Sequence, residues 1–402
     1  MDKKNSVITQ LSILAISMLL TSATAINGAL PQMKNSLGMS TTQGELVATV
    51  PALAVVIFVV LSSFIAQKIG VKKTVQLGLL LVGIGGAVPI FLTNYPLIIA
   101  SRFVLGAGFG LFNSLAVSII NLLYKKEPNK RATLLGFRGS AENIGSAAMT
   151  LLAGLLLAFG WKLSFGVYLL AFPILVMFSL FVPEISDQDT EEEISPLDTV
   201  EVPQVLPQVY LLSLFALFLV MIFVAIGVRF PAMVASMKGD SYNASNFLAV
   251  MPIIGILTGA TFGQVNRLFG EKCLYIGLGL LAFSTILIGN SEGNFRLLLV
   301  GYFISGIPGS LIFPFIYNSL NNYAPSSKMN YATSIILIGC NLGNFVAPFG
   351  LRILQMISGS SSLFAPFKIL FGLVLLVLVV LWLNNTDHFQ KRMVGSKALN
   401  SK

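Results

Sequence analysis

Charge is scarce in this chain: only 10% of its 402 residues are Asp, Glu, Lys or Arg. Soluble domains carry about a quarter, so a chain built for water is excluded. Histidine is scarcer still. The only one, His388, lies in the polar C-terminal tail, which excludes histidine chemistry inside a membrane. Cys273 and Cys340 are too few and too far apart for a zinc site or a disulfide framework. No His/Asp/Glu cluster and no Ser–His pair appears, so a membrane enzyme has little to stand on and no metal or other cofactor is expected. No segment outside the apolar runs is long enough for the output domain of a sensor. The formal charge of +9 does not point to nucleic acid, because the basic residues do not cluster into a patch.

What the chain has in abundance is apolar sequence: 55% of residues are hydrophobic and the mean hydropathy is +0.85. Crossing ~30 Å of hydrocarbon takes about 20 residues of helix. Twelve runs meet that length, at roughly 8–30, 44–66, 74–93, 95–123, 132–158, 163–183, 208–233, 244–266, 273–290, 295–320, 330–357 and 363–384. They must be helices, since an isolated strand cannot satisfy its backbone groups in lipid. The first run, with Lys3, Lys4 and Ala23-Thr24-Ala25, also has the make-up of a secretory signal. The polytopic remainder favours a retained helix.

Loop charges set the orientation. With the N-terminus inside, sixteen of the 25 Lys and Arg residues fall on the inner side, so both termini are expected in the cytoplasm of a multi-pass cell-membrane protein. Outer segments hold Lys34, Lys162, Lys238 and Arg296. Residues 184–207 differ. They hold eight acids, no Lys or Arg, and prolines at 196, 203 and 207, which reads as a cytoplasmic linker.

That linker separates two copies of one design. With an offset of 200 residues, NYPLIIASRFVLGAGFGL (94–111) lies over NFRLLLVGYFISGIPGSL (294–311) without a gap. Asn94/Asn294, Phe103/Phe303 and Gly106/Gly306 coincide, and the register also pairs Pro31/Pro231, Gly70/Gly270 and Lys72/Lys272. Six helices followed by a duplicate six is an architecture of secondary transporters. The expected fold is an all-α membrane protein. Its twelve transmembrane helices form two six-helix pseudo-symmetric halves around a central cavity, with 1–183 and 208–402 as the halves and 184–207 as the linker.

At this level the chain resembles the major facilitator superfamily over essentially its whole length. The loop SFIAQKIGVKK (63–73) is similar to that family's Gly-x-Leu-Ala-Asp-Arg-x-Gly-Arg-Lys loop through Ala66, Lys68, Gly70 and Lys72, with Gln67 at the aspartate. Its second copy, GQVNRLFGEK (263–272), keeps Arg267, Gly270 and Lys272 and has Asn266 for the acid. Both gating loops thus carry amides in place of acids. SRFVLGAGFG (101–110) is similar to the Arg-x-x-x-Gly-x-Gly signature of span four, and in proton-linked members an arginine there, here Arg102, is associated with coupling. A Gly-Pro-x-x-Gly-Gly pattern, frequent in exporters, is absent from span five. In span eight, Gly255, Gly259 and Gly263 recur every fourth residue, which reads as a helix-packing seam.

Charges inside a membrane are costly and usually face a cavity. Four stand out: Arg102, Arg138, Glu142 and Arg229, with Glu142 read as the one deep carboxylate. In LLGFRGSAENIGSA (134–147), Arg138 and Glu142 are four residues apart and share a helix face. They are either a static pair that fixes packing or a pair that opens as protons or substrate arrive. Arg102 binds anion, tunes the proton site or caps carbonyls. Arg229 faces a cavity or snorkels to the outer interface. Three arginines against one glutamate leave an excess of two positive charges, which favours an anionic or neutral polar substrate.

By resemblance, spans one, four, seven and ten line the cavity, offering Thr21, Ser22, Thr24, Asn27, Asn113, Ser114, Arg229, Tyr302, Tyr317 and Asn318, with Asn341 and Asn344 from span eleven. Pro308 and Pro314 should bend span ten. The expected protein is a monomeric secondary active transporter working by alternating access on a small organic solute. Its partners are protons and the bilayer. Proton-coupled export is the first expectation, with uptake or exchange of an organic anion as the alternative.

Overall fold

Helix ends in this chain are written in local chemistry. Ser40 and Gln43 form a reciprocal capping box, each side chain bonded to the other's backbone amide at 3.2 and 2.8 Å, and span two (Thr41–Ile69) starts there. Asn94 caps span four (Tyr95–Leu123) and, one 200-residue repeat later, Asn294 caps span ten (Phe295–Ser319), each accepting from the amide three residues on at 3.4 and 3.1 Å. Gly70 and Gly270 end their helices at φ +88° and +53°, a region that glycine enters without strain. The duplicated register is therefore visible in the caps as well as in the letters.

The computed structural model describes residues 6–125, 127–184, 207–270, 272–320, 323–324 and 329–399, with no strand among them. The acidic linker falls largely outside that set. Among the described residues, eleven helices are long and apolar enough to cross a membrane. The remaining spans, besides two, four and ten, are Val71–Ile90, Pro128–Leu157, Trp161–Phe181, Pro207–Lys238, Ser245–Phe269, Lys272–Gly289, Tyr331–Ser358 and Ala365–Leu383. The twelfth is span one, and here the expected straight helix over 8–30 needs correction. It is a bent pair, Val7–Leu20 followed by Ser22–Leu37, with a 47° change of direction. Residues Ser22–Ala29 wind as a 3₁₀ helix. The Ser22 and Thr24 hydroxyls donate to the local carbonyls of Leu19 and Thr21, and a break in lipid survives only where neighbours take up the freed carbonyls.

Close contacts group the chain into two units, residues 1–256 with 319–352, and residues 257–318 with 353–402. In the first, span four runs between spans two and three on glycine. A Cβ built on Gly106 would stand 2.6 Å from the Cα of Pro51 and nearer still to its carbonyl oxygen, while one on Gly108 would press on Gly78. Backbone cannot move aside as a side chain can. Gly106→Val should therefore cost stability by at least the ~1–3 kcal/mol of an overpacked core, read as a lower melting temperature in detergent. An unchanged melting curve would contradict the close approach of spans two and four.

In the second unit, Gly277 packs on Ile312 and Gly301 on Ile288, and Thr258 and Ser310 share a 2.8 Å hydrogen bond. Span ten is interrupted between Ile304 and Pro308, with Pro314 inside its second segment. The seam expected in span eight does not form. A Cβ on Gly259 or Gly263 would meet nothing within 4 Å, and Gly255 has only Asn143 Oδ1 at 3.8 Å. From Val250 to Phe269 that helix buries no side chain among the described residues, so its small face is left open.

Candidate functional site

The break in span one is held from three sides. Arg102, fully buried in span four, donates from Nη2 to the carbonyl of Ala23 at 2.6 Å and from Nε to that of Val47 in span two at 2.8 Å. Its Nη1 donates to the Tyr168 hydroxyl at 3.0 Å, which in turn donates to the carbonyl of Ser22 at 2.9 Å. The guanidinium also lies over the rings of Phe165 and Tyr168, at 5.9 and 5.3 Å. A planar fork can bind three groups at fixed angles, and here it binds the Ala23 carbonyl of the bent backbone, the Tyr168 hydroxyl, and the Val47 carbonyl that Pro51 leaves without a helical N–H. Of the three readings of Arg102, carbonyl capping is the one its contacts display. Tyr168 was missed in the sequence, because its partners are 66 and 146 residues away.

Gly145 lets span five (Pro128–Leu157) lie against span one, since a Cβ there would collide with the backbone of Met18. The contact brings Thr21 Oγ1 to the carbonyl of Glu142 at 2.8 Å. One helical turn away, Arg138 Nη2 meets Glu142 Oε1 at 2.9 Å and Asn113 Oδ1 at 3.2 Å. The Nε of Arg138 is buried with no partner among the described residues. The two side chains keep 19% and 25% of their surface exposed, so the pair borders open space instead of sealing it. A half-buried ion pair beside a broken helix, with an unused N–H donor, can admit a proton or an acceptor group of a solute.

Arg229 does not snorkel. It pairs with Glu45 of span two through Nε–Oε1 and through Nη2–Oε2 at 3.3 Å, with both side chains sealed at 1% and 3% exposure. Glu142 is therefore not the one deep carboxylate, and the excess of positive charge falls from two to one. The signal was present: Glu45 lies inside the second apolar run and was left out of the count of deep charges. Removing one partner of a buried pair costs about 3–5 kcal/mol, because the other charge is stranded.

The other candidates are placed more loosely. Asn27 is buried with its Oδ1 unpartnered among the described residues, and Thr24 makes a long 3.5 Å bond to the carbonyl of Thr21. Asn341 turns back on the carbonyl of Leu337 in its own helix, while Asn344 Oδ1 is buried without a described partner. In the second unit, Tyr302 is fully buried against Phe303, Tyr317 is half-buried and Asn318 is exposed. Of the residues expected in gating loops, Gln67 and Lys68 lie exposed in the last turn of span two, Asn266 and Arg267 exposed in the last turn of span eight, and Lys72, in the first turn of span three, reaches Glu184 at 3.4 Å.

The sequence profile of the Major Facilitator Superfamily matches residues 12–289. The chain belongs to that family. Among individual members of the superfamily, the bacillibactin exporter of Bacillus subtilis is 28% identical over 141 residues, which is 34% of this chain and 35% of that protein. The hexuronate transporter of the same organism is 24% identical over 318 residues, 71% of this chain and 74% of that protein. Among solved structures, a D-xylose–proton symporter superposes with a TM-score of 0.74 at 16% identity, covering 93% of this chain and 97% of the other. At that identity the likeness shows the fold alone. It is the superfamily's multi-pass, all-helical membrane fold, with twelve spans once the bent pair is counted as one.

Proposed function

We propose that this chain is a secondary active transporter that moves a small organic solute across the cell membrane by alternating access, coupled to protons through Glu142 and Arg138. The observation that carries this is the half-buried Arg138–Glu142 pair, against the sealed Glu45–Arg229 pair. A group that exchanges protons with water has to be reached by water. Glu142 meets that condition and Glu45, as it stands, does not. Export is the preferred direction, supported by the exporter among the relatives. The two halves of the sequence, 1–183 and 208–402, are the bodies proposed to rock about the cavity.

A second reading is uptake or exchange of an organic anion. The buried, unpartnered Nε of Arg138 favours it, because an acceptor such as a carboxylate would satisfy that donor, and a hexuronate transporter is among the relatives. The test is a panel of organic anions and drugs offered to proteoliposomes. Movement of no compound above protein-free vesicles would remove both readings. Orientation is tested separately. Thr190→Cys, in the acidic linker, should react only with reagents delivered to the cytoplasm, and Lys238→Cys only with reagents outside. Labelling of position 190 from outside would reverse the topology.

A further inference from the structure

An ion pair between residues four apart in one helix leaves both side chains free to turn unless another span holds them. Here two other spans do. Span one brings Thr21 Oγ1 to the backbone carbonyl of Glu142 at 2.8 Å, and span four brings Asn113 Oδ1 to Arg138 Nη2 at 3.2 Å. The same Nη2 meets Glu142 Oε1 at 2.9 Å, so its two N–H groups are divided between a carboxylate and an amide. Among the described residues, Asn113 supplies the hydrogen bond that Arg138 makes outside its own helix. A guanidinium only donates, so the amide must turn its oxygen to Arg138. Span five itself gives the pair little support, since Gly136, Phe137, Gly139 and Ser140 are exposed. Arg138 is also the one charged side chain that acts on the Glu142 carboxylate among the described residues. Arg102 of span four is committed to carbonyls and to Tyr168 of span six, and Lys162 of span six lies over the Trp161 ring. The head of span eight, against Gly154, brings Asn243 and Ser245, which do not titrate.

We propose that Asn113 is a positioning residue for proton coupling, which holds Arg138 in place and satisfied while Glu142 carries the proton. The proposal rests on the coupling reading above. With Glu142 ionised, the carboxylate and the amide share the guanidinium. With Glu142 protonated, the carboxyl keeps an acceptor oxygen but loses its charge, and the stronger of the two bonds is weakened. Arg138 already buries its Nε without a partner among the described residues, and each further orphaned donor adds a desolvation cost. Asn113 Oδ1 keeps one donor satisfied through that state. An aspartate at this position would hold Arg138 as well, but as a permanent counter-charge it would compete with Glu142 whether or not the proton is bound. A neutral acceptor fixes the arginine and leaves Glu142 as its one switchable partner.

The test is a set of melting curves of the full chain in detergent, with no solute present. Asn113→Leu removes the acceptor at similar volume, and Asn113→Asp keeps the size and adds a charge. Both are made in the parent and in Glu142→Gln, where position 142 stays neutral at any pH. In the parent, Asn113→Leu should cost little melting temperature at alkaline pH and more at acid pH. In Glu142→Gln its cost should be about twofold or more the parent's alkaline value, and independent of pH. Asn113→Asp should act in opposite directions. It should raise the melting temperature of Glu142→Gln, because a carboxylate returns to Arg138, and lower that of the parent at alkaline pH, because two carboxylates then share one arginine. Equal effects in both backgrounds and at all pH values overturn the proposal and leave Asn113 to packing, while the coupling reading stands on its own pH-gradient experiment. A cost that grows in Glu142→Gln but never with acid in the parent overturns it differently. Glu142 would then not be taking a proton, and the coupling reading would fall with it.

Discussion

Arg102→Ala is expected to lower transport and stability together, with a drop on the order of 3 kcal/mol or more. The change leaves the carbonyl of Val47 without its side-chain donor and that of Ala23 with only the Tyr168 hydroxyl at 3.3 Å, and each unsatisfied buried group costs roughly 1–3 kcal/mol. Tyr168 keeps its bond to Ser22 but loses the guanidinium that orients it. Arg102→Lys should recover only part, because an ammonium reaches one or two of the three partners and cannot reproduce the planar fork. Melting temperature and transport rate, read on the same preparations, decide between two roles. Falling together, they mark a staple of the broken span. Transport lost at an unchanged melting temperature would place Arg102 in coupling, as the resemblance implied, and would retire the staple.

Glu142→Gln should abolish transport driven by a pH gradient while leaving a folded protein. The neutral amide keeps the size of the side chain and its contact with Arg138, and the Thr21 bond to the backbone carbonyl is untouched. Downhill exchange of solute should survive, since exchange does not require release of the proton. A static pair predicts another pattern. Either single neutral change would then lower stability, and the double variant Arg138→Gln with Glu142→Gln would regain it, as for ion pairs whose removal is harmless only when complete. Transport and melting curves for the two singles and the double separate these outcomes.

How far the sequence foretold these arrangements depends on the range of the interaction. The twelve apolar runs follow from a rule that acts within about one span, and they were legible for that reason. The Asn94 and Asn294 caps and the helix-ending Gly70 and Gly270 are just as local, yet in the sequence they stood out only as repeat partners and loop-motif matches. The Arg138–Glu142 pair was legible too, because its spacing is one helical turn. The bend in span one was not, since Ser22–Ala29 is apolar enough to pass as continuous helix, and what holds it open comes from spans two, four and six. Charge placement failed in an instructive way. Arg229 was noticed for its depth, while Glu45, the second residue of the second run, went uncounted as its partner. In a membrane every deep charge should prompt a search for its opposite, and that search is possible in the sequence. Which of several opposites is chosen depends on packing between distant spans.

The most direct measurement of the central claim is solute accumulation in proteoliposomes of the wild-type chain, with and without an imposed pH gradient and with membrane potential clamped. The account predicts accumulation above equilibrium only while the pH gradient lasts, collapse when a protonophore is added, and neither effect in Glu142→Gln. Accumulation that ignores the pH gradient, or that Glu142→Gln retains in full, would contradict it.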